Sequence, residues 1–225
     1  MRIGIDGREL LGNRTGVGRY LAELCSEWMN SYQASQHEFI LYTTQSNSRI
    51  TEFEAPFHDG ISGRFLHRSV PGRPGTLWEQ ISLPEAAASD KLDVFFSPAY
   101  SAPLNLHTPS VVTMHDVSFV THPEWFPWRE GIRRRWLARK SMERADAIIA
   151  VSTFTRNEIQ NAYFIPSDRI HVVRSGIKHR QIIRRSENST PLVLYVGTIF
   201  NRRNLPTLIR AFTKARNVDQ RTRLT

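Results

Sequence analysis

The chain has 225 residues, of which 40% are hydrophobic and 10% aromatic, so it can bury a core and is not a disordered protein. Cys25 is its only cysteine, which excludes an internal disulfide and a cysteine metal cluster. The net charge is +9, and residues 151–225 hold 14 basic and 4 acidic residues. The field of this last third suits an anionic partner such as a phosphate ligand, a membrane surface or nucleic acid.

Strand-like and helix-like segments alternate along the chain. The patterns predict strands at residues 2–6, 39–43, 64–70, 93–97, 110–116, 147–152 and 169–177. They predict helices at residues 17–30, 76–89 and 128–146, and a later helix that opens with a capping box at Thr155 and Glu158. No apolar run reaches the roughly 20 residues that span a bilayer, and no secretory signal is visible, so we expect a cytoplasmic protein.

Continuous Val, Ile and Phe strands separated by helices are typical of a parallel sheet covered on both faces. We therefore predict an α/β fold with a doubly wound, Rossmann-like domain at residues 1–180. Ligands of such sheets bind beyond the carboxyl ends of the strands. The loops of interest are those that follow Asp6, Ser97, His115, Ser152 and Ser175.

A second domain is expected to begin late in the chain. Residues 181–191 are polar and predict a linker, which a strand at 192–197 and a helix at 204–216 follow. One strand and one helix cannot enclose a core. Residues 192–225 therefore predict the first strand-helix unit of an incomplete domain.

Two glycines, Gly16 and Gly18, follow the first predicted strand, where bare backbone can approach a ligand. The segment is not a Walker loop, because no Gly-Lys-Ser or Gly-Lys-Thr follows it. It is not a complete dinucleotide fingerprint either, because Leu21 occupies the third glycine position. Taken alone, the glycines indicate only that the backbone comes close to another group here, without identifying a ligand.

His115 ends a predicted buried strand at the ligand edge of the sheet. Asp116 is its neighbour, and neighbours on a strand point to opposite sides, so we do not expect a hydrogen-bonded dyad. Two interpretations stay open. The histidine is satisfied by nearby backbone, or it is a functional group beyond the end of the strand.

Arg202 and Arg203 lie just before a predicted helix start and shortly after Gly197. Charge-assisted hydrogen bonds from arginine contribute roughly 1.5–3 kcal/mol, more than the roughly 0.3–1 kcal/mol of an exposed helix dipole. A diphosphate is one ligand for this loop. A solvated arginine pair is the alternative.

The predicted helix at 128–144 carries seven basic and two acidic residues, and Trp128, Ile132 and Trp136 share one face. A basic helix with aromatic residues can lie on an anionic membrane. The more common arrangement packs the apolar face inside and leaves the charges in water. No recognised nucleic-acid-binding motif accompanies the basic residues, so a nucleic-acid partner is not expected.

Several stretches, in this order and spacing, resemble the retaining glycosyltransferases of family 4 (glycosyl transferase group 1), which have the two-domain GT-B fold. The stretches are "IGIDGREL", "TGVGRY", "TMHDVSFVTHPEWF", "ADAIIAVSTFTRNEI", "DRIHVVRSGI" and "LYVGTIFNRRNL". Together they cover nearly all of the chain. The sequence is most similar to the bacterial mannosyl- and rhamnosyltransferase-like branch that builds surface polysaccharides.

The resemblance implies roles for residues of the first domain. Gly16 and Gly18 match the glycine loop that leaves room for the phosphate and sugar of the donor. His115 matches the family histidine that positions the donor sugar. Asp116 and Ser152 are substrate-binding candidates at the same edge.

The resemblance also implies a donor diphosphate site in the second domain. Arg203 stands where the family usually has a lysine that contacts the diphosphate. Thr198 stands where family members often have an arginine, so Arg202 is a candidate to supply that charge. The family's paired glutamates would lie past Thr225, so we expect residues 1–225 alone to have little or no transferase activity.

The implied activity is transfer of a sugar from a nucleotide-sugar donor to a glycan or lipid-linked acceptor, with retention of configuration and without a metal or other cofactor. The expected location is the cytoplasm, and the basic, aromatic helix at 128–144 offers a peripheral contact with the inner face of the membrane. The alternative is a truncated, non-catalytic remnant that binds carbohydrate or a partner in the same cleft. Activity of the chain, alone or joined to a downstream reading frame, separates the two.

Overall fold

The computed structural model describes residues 1–11, 16–44, 65–177, 192–197, 203–217 and 223–224. The chain divides into two compact units, Met1–Ser175 and Gly176–Thr225. The first unit is built around a parallel sheet of seven strands: β1 Arg2–Asp6, β2 Glu38–Thr43, β3 Phe65–Ser69, β4 Val94–Ser97, β5 Ser110–Met114, β6 Ala147–Ala150 and β7 Ile170–Val172.

The strand order is β3-β2-β1-β4-β5-β6-β7, so the chain proceeds in opposite directions from the centre of the sheet. β1 pairs in parallel with both β2 and β4. The reversal between β1 and β4 is a topological switch point, where α/β sheets open a crevice beyond the carboxyl ends of their strands.

Helices lie between most successive strands, as the sequence predicts, although none lies between β4 and β5. They are α1 Gly16–Asn30, α2 Leu83–Ser89, α3 Ser118–Thr121, α4 Trp128–Arg144 and α5 Thr153–Tyr163. A π-helical turn, Trp78–Ser82, leads directly into α2. The predicted α/β parallel sheet is confirmed.

Alternating side chains of the strands build a core on each face of the sheet. Leu41 packs with Leu21 and Cys25 of α1, whereas its neighbour Ile40 packs with Leu83 of α2. A third cluster joins strands β5 and β6 to α4 and α5 on the same face as α2. One face therefore carries α1, and the other carries α2, α4 and α5.

Most strands are shorter than predicted, and two of them, β5 and β7, border loops of interest. β5 ends at Met114 rather than at 116, because the carboxylate of Asp116 accepts hydrogen bonds from the backbone N–H and hydroxyl of Ser118 and turns the chain into α3. β7 covers only Ile170–Val172 of the predicted 169–177. The loop beyond β5 thus begins at His115.

The predicted capping box of α5 is wrong. Ser152 is the N-cap, since it is extended (φ −156°, ψ 161°) and its Oγ accepts the backbone N–H of Thr155 at 3.0 Å. Thr155 is the third residue of the helix, and its hydroxyl donates to the carbonyl of His115 at 3.2 Å. The helix therefore starts three residues earlier than the motif indicates.

The second unit contains helix α6, Leu205–Arg216, and a parallel pair of two-residue strands, β8 Leu192–Val193 and β9 Arg223–Leu224. The predicted strand at 192–197 is thus reduced to two residues, and Leu192, Val193 and Leu194 are exposed. The predicted linker at 181–191 lies outside the described residues.

Candidate functional site

A cavity of about 670 Å³ opens at the carboxyl ends of β1 and β4 in the first unit. This is the edge at which the switch-point rule places ligands. Six of its eighteen lining residues carry a charge. The lining residues that carry charge are Asp6, Arg8, Glu9, Glu79, Arg133 and Arg134.

Arg8 forms the centre of a charged network in this cavity. Its Nη2 donates to Asp6 Oδ2 at 2.6 Å and to Glu79 Oε1 at 2.8 Å. The two carboxylate side chains are 6% and 2% exposed, so both charges are almost completely removed from water. Burial lowers the pKa of the Arg8 guanidinium, but the charges and hydrogen bonds of Asp6 and Glu79 outweigh burial and hold that pKa well above its ordinary value.

Glu79 reaches the network from the π-helical turn Trp78–Ser82. Such turns are rare and are frequent at functional sites. Glu79 Oε1 also accepts the hydroxyl of Ser101 at 2.6 Å, and the Arg8 guanidinium lies 5.1 Å from the ring centroid of Trp78. Two carboxylates, one guanidinium and nearby hydroxyls provide the donors and acceptors that a ligand rich in hydroxyl groups requires.

The first half of α4 forms one rim of the cavity. Arg133 and Arg134 line it, and both donate to the carboxylate of Glu130, at 2.8 Å and 2.6 Å. Arg133 Nη1 also donates to Thr76 Oγ1 at 2.5 Å. These contacts connect α4 to the segment that precedes the π-helical turn.

His115 lies directly after β5. Its Nε2 lies 2.9 Å from the carbonyl oxygen of Pro98, and since a carbonyl only accepts, Nε2 carries the proton. Burial lowers the pKa of His115, although the bond to Pro98 and the charges of Asp116 and Glu9 oppose the shift. The imidazole is therefore held neutral in a defined tautomer, with Nδ1 as an acceptor.

The structure brings His115 next to the helix that carries the two candidate glycines. The rings of His115 and Tyr20 meet edge to face with centroids 5.0 Å apart. Tyr20 is one helical turn after Gly16, the first residue of α1. A Cβ built on Gly16 meets no described atom within 4 Å, whereas Gly18 is buried. Residues 12–15 lie outside the described residues.

Asp116 and Ser152 act within the chain in this structure. Asp116 accepts from Ser118 and from the hydroxyl of Tyr100, and Ser152 caps α5. Both therefore hold the loop around His115, directly or through Thr155. Their contacts with a substrate stay a prediction.

The second-unit candidates are only partly described. Arg203 is exposed, just before α6. Thr198 and Arg202 lie outside the described residues. The predicted diphosphate site therefore stays a prediction.

Helix α4 exposes its aromatic face to solvent, whereas a basic helix more commonly packs its apolar face inside the protein. Trp128, Ile132 and Trp136 are exposed. Helix α4 packs against the rest of the unit through a different set of residues, which are buried: Gly131, Leu137, Ala138, Ser141 and Met142. The expectation that the face with Trp128, Ile132 and Trp136 points into the protein is therefore wrong.

Sequence reasoning missed Arg8 and Glu79. Arg8 stands two residues after Asp6, at the predicted ligand edge, so its position was a usable signal. Glu79 stands in the apolar segment "TLWEQISL", which reads as an ordinary helix. Its importance depends on partners distant in sequence.

Comparison with known proteins identifies the family. Residues 14–181 match the model of Glycosyltransferase Family 4. The chain belongs to glycosyltransferase family 4. A curated family relative, O-antigen chain mannosyltransferase B of Escherichia coli, is 28% identical over 130 residues. That alignment covers 53% of this chain and 34% of the relative, so the chain matches about a third of the relative's length.

Solved structures with the GT-B glycosyltransferase fold are similar to this family 4 chain. An Arabidopsis thaliana UGT protein complexed with UDP-L-rhamnose has a TM-score of 0.53 at 11% identity, with 100% of this chain and 68% of that chain covered. The glycotransferase of kitacinnamycin has a TM-score of 0.53 at 12% identity, with coverage of 99% and 64%. At these identities the likeness shows the GT-B fold alone.

The described residues of this family 4 chain contain neither a candidate membrane span nor a candidate metal cluster. None of the described helices combines the length and apolar character needed to cross a membrane. Within the same ranges, no group of three or more His, Cys, Asp or Glu residues is placed to hold a metal ion.

Proposed function

We propose that this chain is the acceptor-side part of a glycosyltransferase that transfers a sugar from a nucleotide-sugar donor to a glycan or lipid-linked acceptor. The observation that carries the proposal is the family match over residues 14–181 together with a charged cavity at the switch point of the sheet. An acceptor glycan offers many hydroxyl groups, and the network of Arg8, Asp6 and Glu79 offers both hydrogen-bond donors and acceptors for them.

The relatives support the donor class and the pathway. The E. coli relative is named as an O-antigen chain mannosyltransferase, and a structural neighbour was solved with UDP-L-rhamnose. We therefore propose a hexosyl donor, a mannosyl- or rhamnosyltransferase-like specificity and a role in surface polysaccharide synthesis. Retention of configuration follows from the family resemblance.

His115, Gly16 and Gly18 are proposed to meet the donor. A Cβ built on Gly16 would meet no described atom within 4 Å, so the start of α1 leaves room for a ligand, and a helix N-terminus favours an approaching anion. A neutral His115, fixed by Pro98 and packed against Tyr20, is suited to position a sugar without adding a charge. Asp116 and Ser152 would support this position through the loop that they hold.

The departing nucleotide diphosphate needs positive charge as its bond to the sugar breaks. Arg202 and Arg203, with Thr198, are the proposed groups, so the reaction would need no metal or other cofactor. Preorganised charges of this kind stabilise the transition state where charge develops. The proposed location of the reaction is the cytoplasm, at the inner face of the membrane, because a lipid-linked acceptor would be presented there.

A non-catalytic carbohydrate-binding remnant is the second candidate, because the charged cavity belongs entirely to the first unit. Purified chain, alone and joined to the sequence encoded directly downstream, is assayed for release of nucleoside diphosphate from GDP-mannose and UDP-sugars. Transfer by the joined protein, and loss of transfer in a Glu79→Gln variant, supports the enzyme. Binding of glycans without transfer by either protein supports the remnant.

A further inference from the structure

Tyr100 forms a wall that the cavity and His115 share. It lines the cavity together with its neighbours in the loop that follows β4. Its ring also lies against the imidazole of His115, with the two centroids 5.5 Å apart, and its hydroxyl donates to Asp116 Oδ2 at 3.1 Å. One side chain therefore contacts both the proposed acceptor cavity and the residue that is proposed to position the donor sugar.

The backbone of Tyr100 has a φ of 50°, a conformation that bulky residues rarely adopt. Three other described non-glycine residues have a positive φ, and each lies where the chain enters or leaves a helix: Lys91, Phe164 and Asn204. Tyr100 differs from them, because it lies in the loop between β4 and β5, where no helix is present. A strained residue in the wall of a cavity is a reason to look for a functional constraint.

Contacts on both sides of Tyr100 fix this conformation. Its backbone N–H donates to the carbonyl of Thr113 in β5 at 3.0 Å. The hydroxyl of the next residue, Ser101, donates to Glu79 Oε1 at 2.6 Å, and Gln80 donates to the following carbonyl at 3.1 Å. The sheet thus holds Tyr100 itself, and the π-helical turn holds the residues directly after it. The fold therefore sets the direction of the tyrosine ring before a ligand arrives.

The cavity combines this ring with hydrogen-bonding groups of fixed orientation. Phe119 lines it too, and its ring meets that of Tyr100 edge to face with centroids 6.1 Å apart. The Glu79 side chain is 2% exposed, and within the described part of the chain its carboxylate forms its hydrogen bonds through Oε1, which leaves Oε2 to a ligand. A sugar ring presents C–H faces to aromatic side chains and hydroxyl groups to a carboxylate, so a neutral pyranose matches this combination.

We infer that Tyr100 binds a neutral pyranose ring of the acceptor and places it at the His115 end of the cavity. The inference rests on the proposed function for the identity of the ligand, and it adds a residue that contacts the acceptor. The ring of Tyr100 supplies the contact with the sugar, whereas its hydroxyl stays bonded to Asp116. Because the same ring lies against His115, a sugar bound there is next to the proposed donor position.

Titration of the full chain with α-mannobiose, followed by saturation-transfer NMR, tests the contact. The disaccharide is neutral, and the cavity volume of about 670 Å³ lies within the range of small-molecule sites. The wild type is expected to bind it. Tyr100→Leu is expected to weaken binding by roughly fivefold or more, because it removes the aromatic ring. Tyr100→Phe keeps the ring and is expected to bind like the wild type.

Two further variants separate sugar binding from folding. Tyr100→Gly removes the ring but adopts a positive φ without strain, so it is expected to stay folded and to bind as weakly as Tyr100→Leu. Tyr32→Leu removes a tyrosine that is 80% exposed and is not part of the cavity lining, so it is expected to leave binding unchanged. Thermal unfolding of each variant checks that it is folded.

The imidazole NMR signals of His115 report where the sugar binds. They are assigned by comparison with His115→Gln. Addition of α-mannobiose is expected to shift them in the wild type and in Tyr100→Phe, because the sugar lies beside the imidazole. At the same sugar concentration, the shift is expected to be smaller in Tyr100→Leu.

Equal binding of α-mannobiose by Tyr100→Leu and the wild type overturns the inference. Absence of wild-type binding also overturns it, as does binding that leaves the His115 signals unchanged. Sugar binding through Tyr100 without transfer by the joined protein keeps the contact and rejects the enzyme in favour of the remnant. Transfer by the joined protein that Tyr100→Leu does not slow keeps the proposed function and rejects the inference, so the two failures are distinguishable.

Discussion

The guanidinium of Arg8 lies 2.8 Å from the carboxylate of Glu79, although 71 positions separate the two residues in the sequence. Arg8 follows β1 directly, and Glu79 belongs to the π-helical turn before α2. The ion pair therefore joins the segment after β1 to the π-helical turn on the other side of the cavity, which both residues line.

Replacing Arg8 by Met is expected to destabilise the first unit by about 3 kcal/mol. The variant leaves the buried carboxylates of Asp6 and Glu79 without their cation, and an uncompensated buried charge is costly. Urea unfolding followed by circular dichroism measures the change. Arg2→Met is the matched control, because it removes an ion pair with Glu38 whose side chains are 40% and 37% exposed, far more than those of Asp6 and Glu79. An equal loss in both variants would contradict the role of burial.

Lowering the pH below about 6.5 is expected to destabilise the fold through His115. Its pKa is lowered in the folded state, so the unfolded state binds more protons between the folded pKa and about 6.5. The stability contribution of the neutral imidazole is present above this window and declines as the pH falls through it. His115→Gln is expected to flatten the dependence of unfolding free energy on pH, and an unchanged slope would argue against it.

Removing the cap of α5 is expected to cost about 1 kcal/mol. Ser152→Ala leaves the backbone N–H of Thr155 without its acceptor at the start of the helix. Thr153→Ala removes an exposed hydroxyl one residue later and is expected to change little. Chemical unfolding of both variants gives the difference, which should disappear if Ser152 were not the cap.

Gly4→Ala is expected to lower the free energy of unfolding, whereas Gly16→Ala is not. In Gly4→Ala the new Cβ meets Leu92 Cδ1 and lies 2.9 Å from Phe95 Cδ2, and such overpacking costs about 1–3 kcal/mol.

In Gly16→Ala the new Cβ meets no described atom within 4 Å. The free energy of unfolding is expected to stay the same, because alanine favours a helix. If the donor approaches Gly16, the same variant of the joined protein should transfer sugar more slowly. Unchanged transfer would remove Gly16 from the donor site.

The sequence was sufficient to predict the sheet, since strands such as "RIGID" and "DVFFS" are buried on both sides and their pattern is local. It was insufficient for the cap of α5, because Ser152 and Thr155 both carry hydroxyls and only the extended backbone of Ser152 selects it. The partnership of Arg8 and Glu79 was also beyond prediction, because it depends on strand order. Periodicity reports which face of an element is apolar, not which distant residue meets it.

The apolar face of α4 is a second case in which the pattern was visible in the sequence but its orientation was not. The spacing of Trp128, Ile132 and Trp136 was visible in the sequence, but a spacing of four residues does not distinguish an inward from an outward face. The packing of Leu137, Ala138 and Met142 against the strands decides it.

The reversal of strand order between β1 and β4 has a consequence for how this molecule can diverge. The crevice exists because two neighbouring strands lead their chains apart, so its presence depends on backbone topology rather than on the side chains around it. Substitutions at the rim, at positions such as Thr76 and Ser101, can therefore alter which ligand fits the cavity while the sheet stays intact. Members of the family can therefore change the ligand that this crevice fits in small steps, without refolding their scaffold.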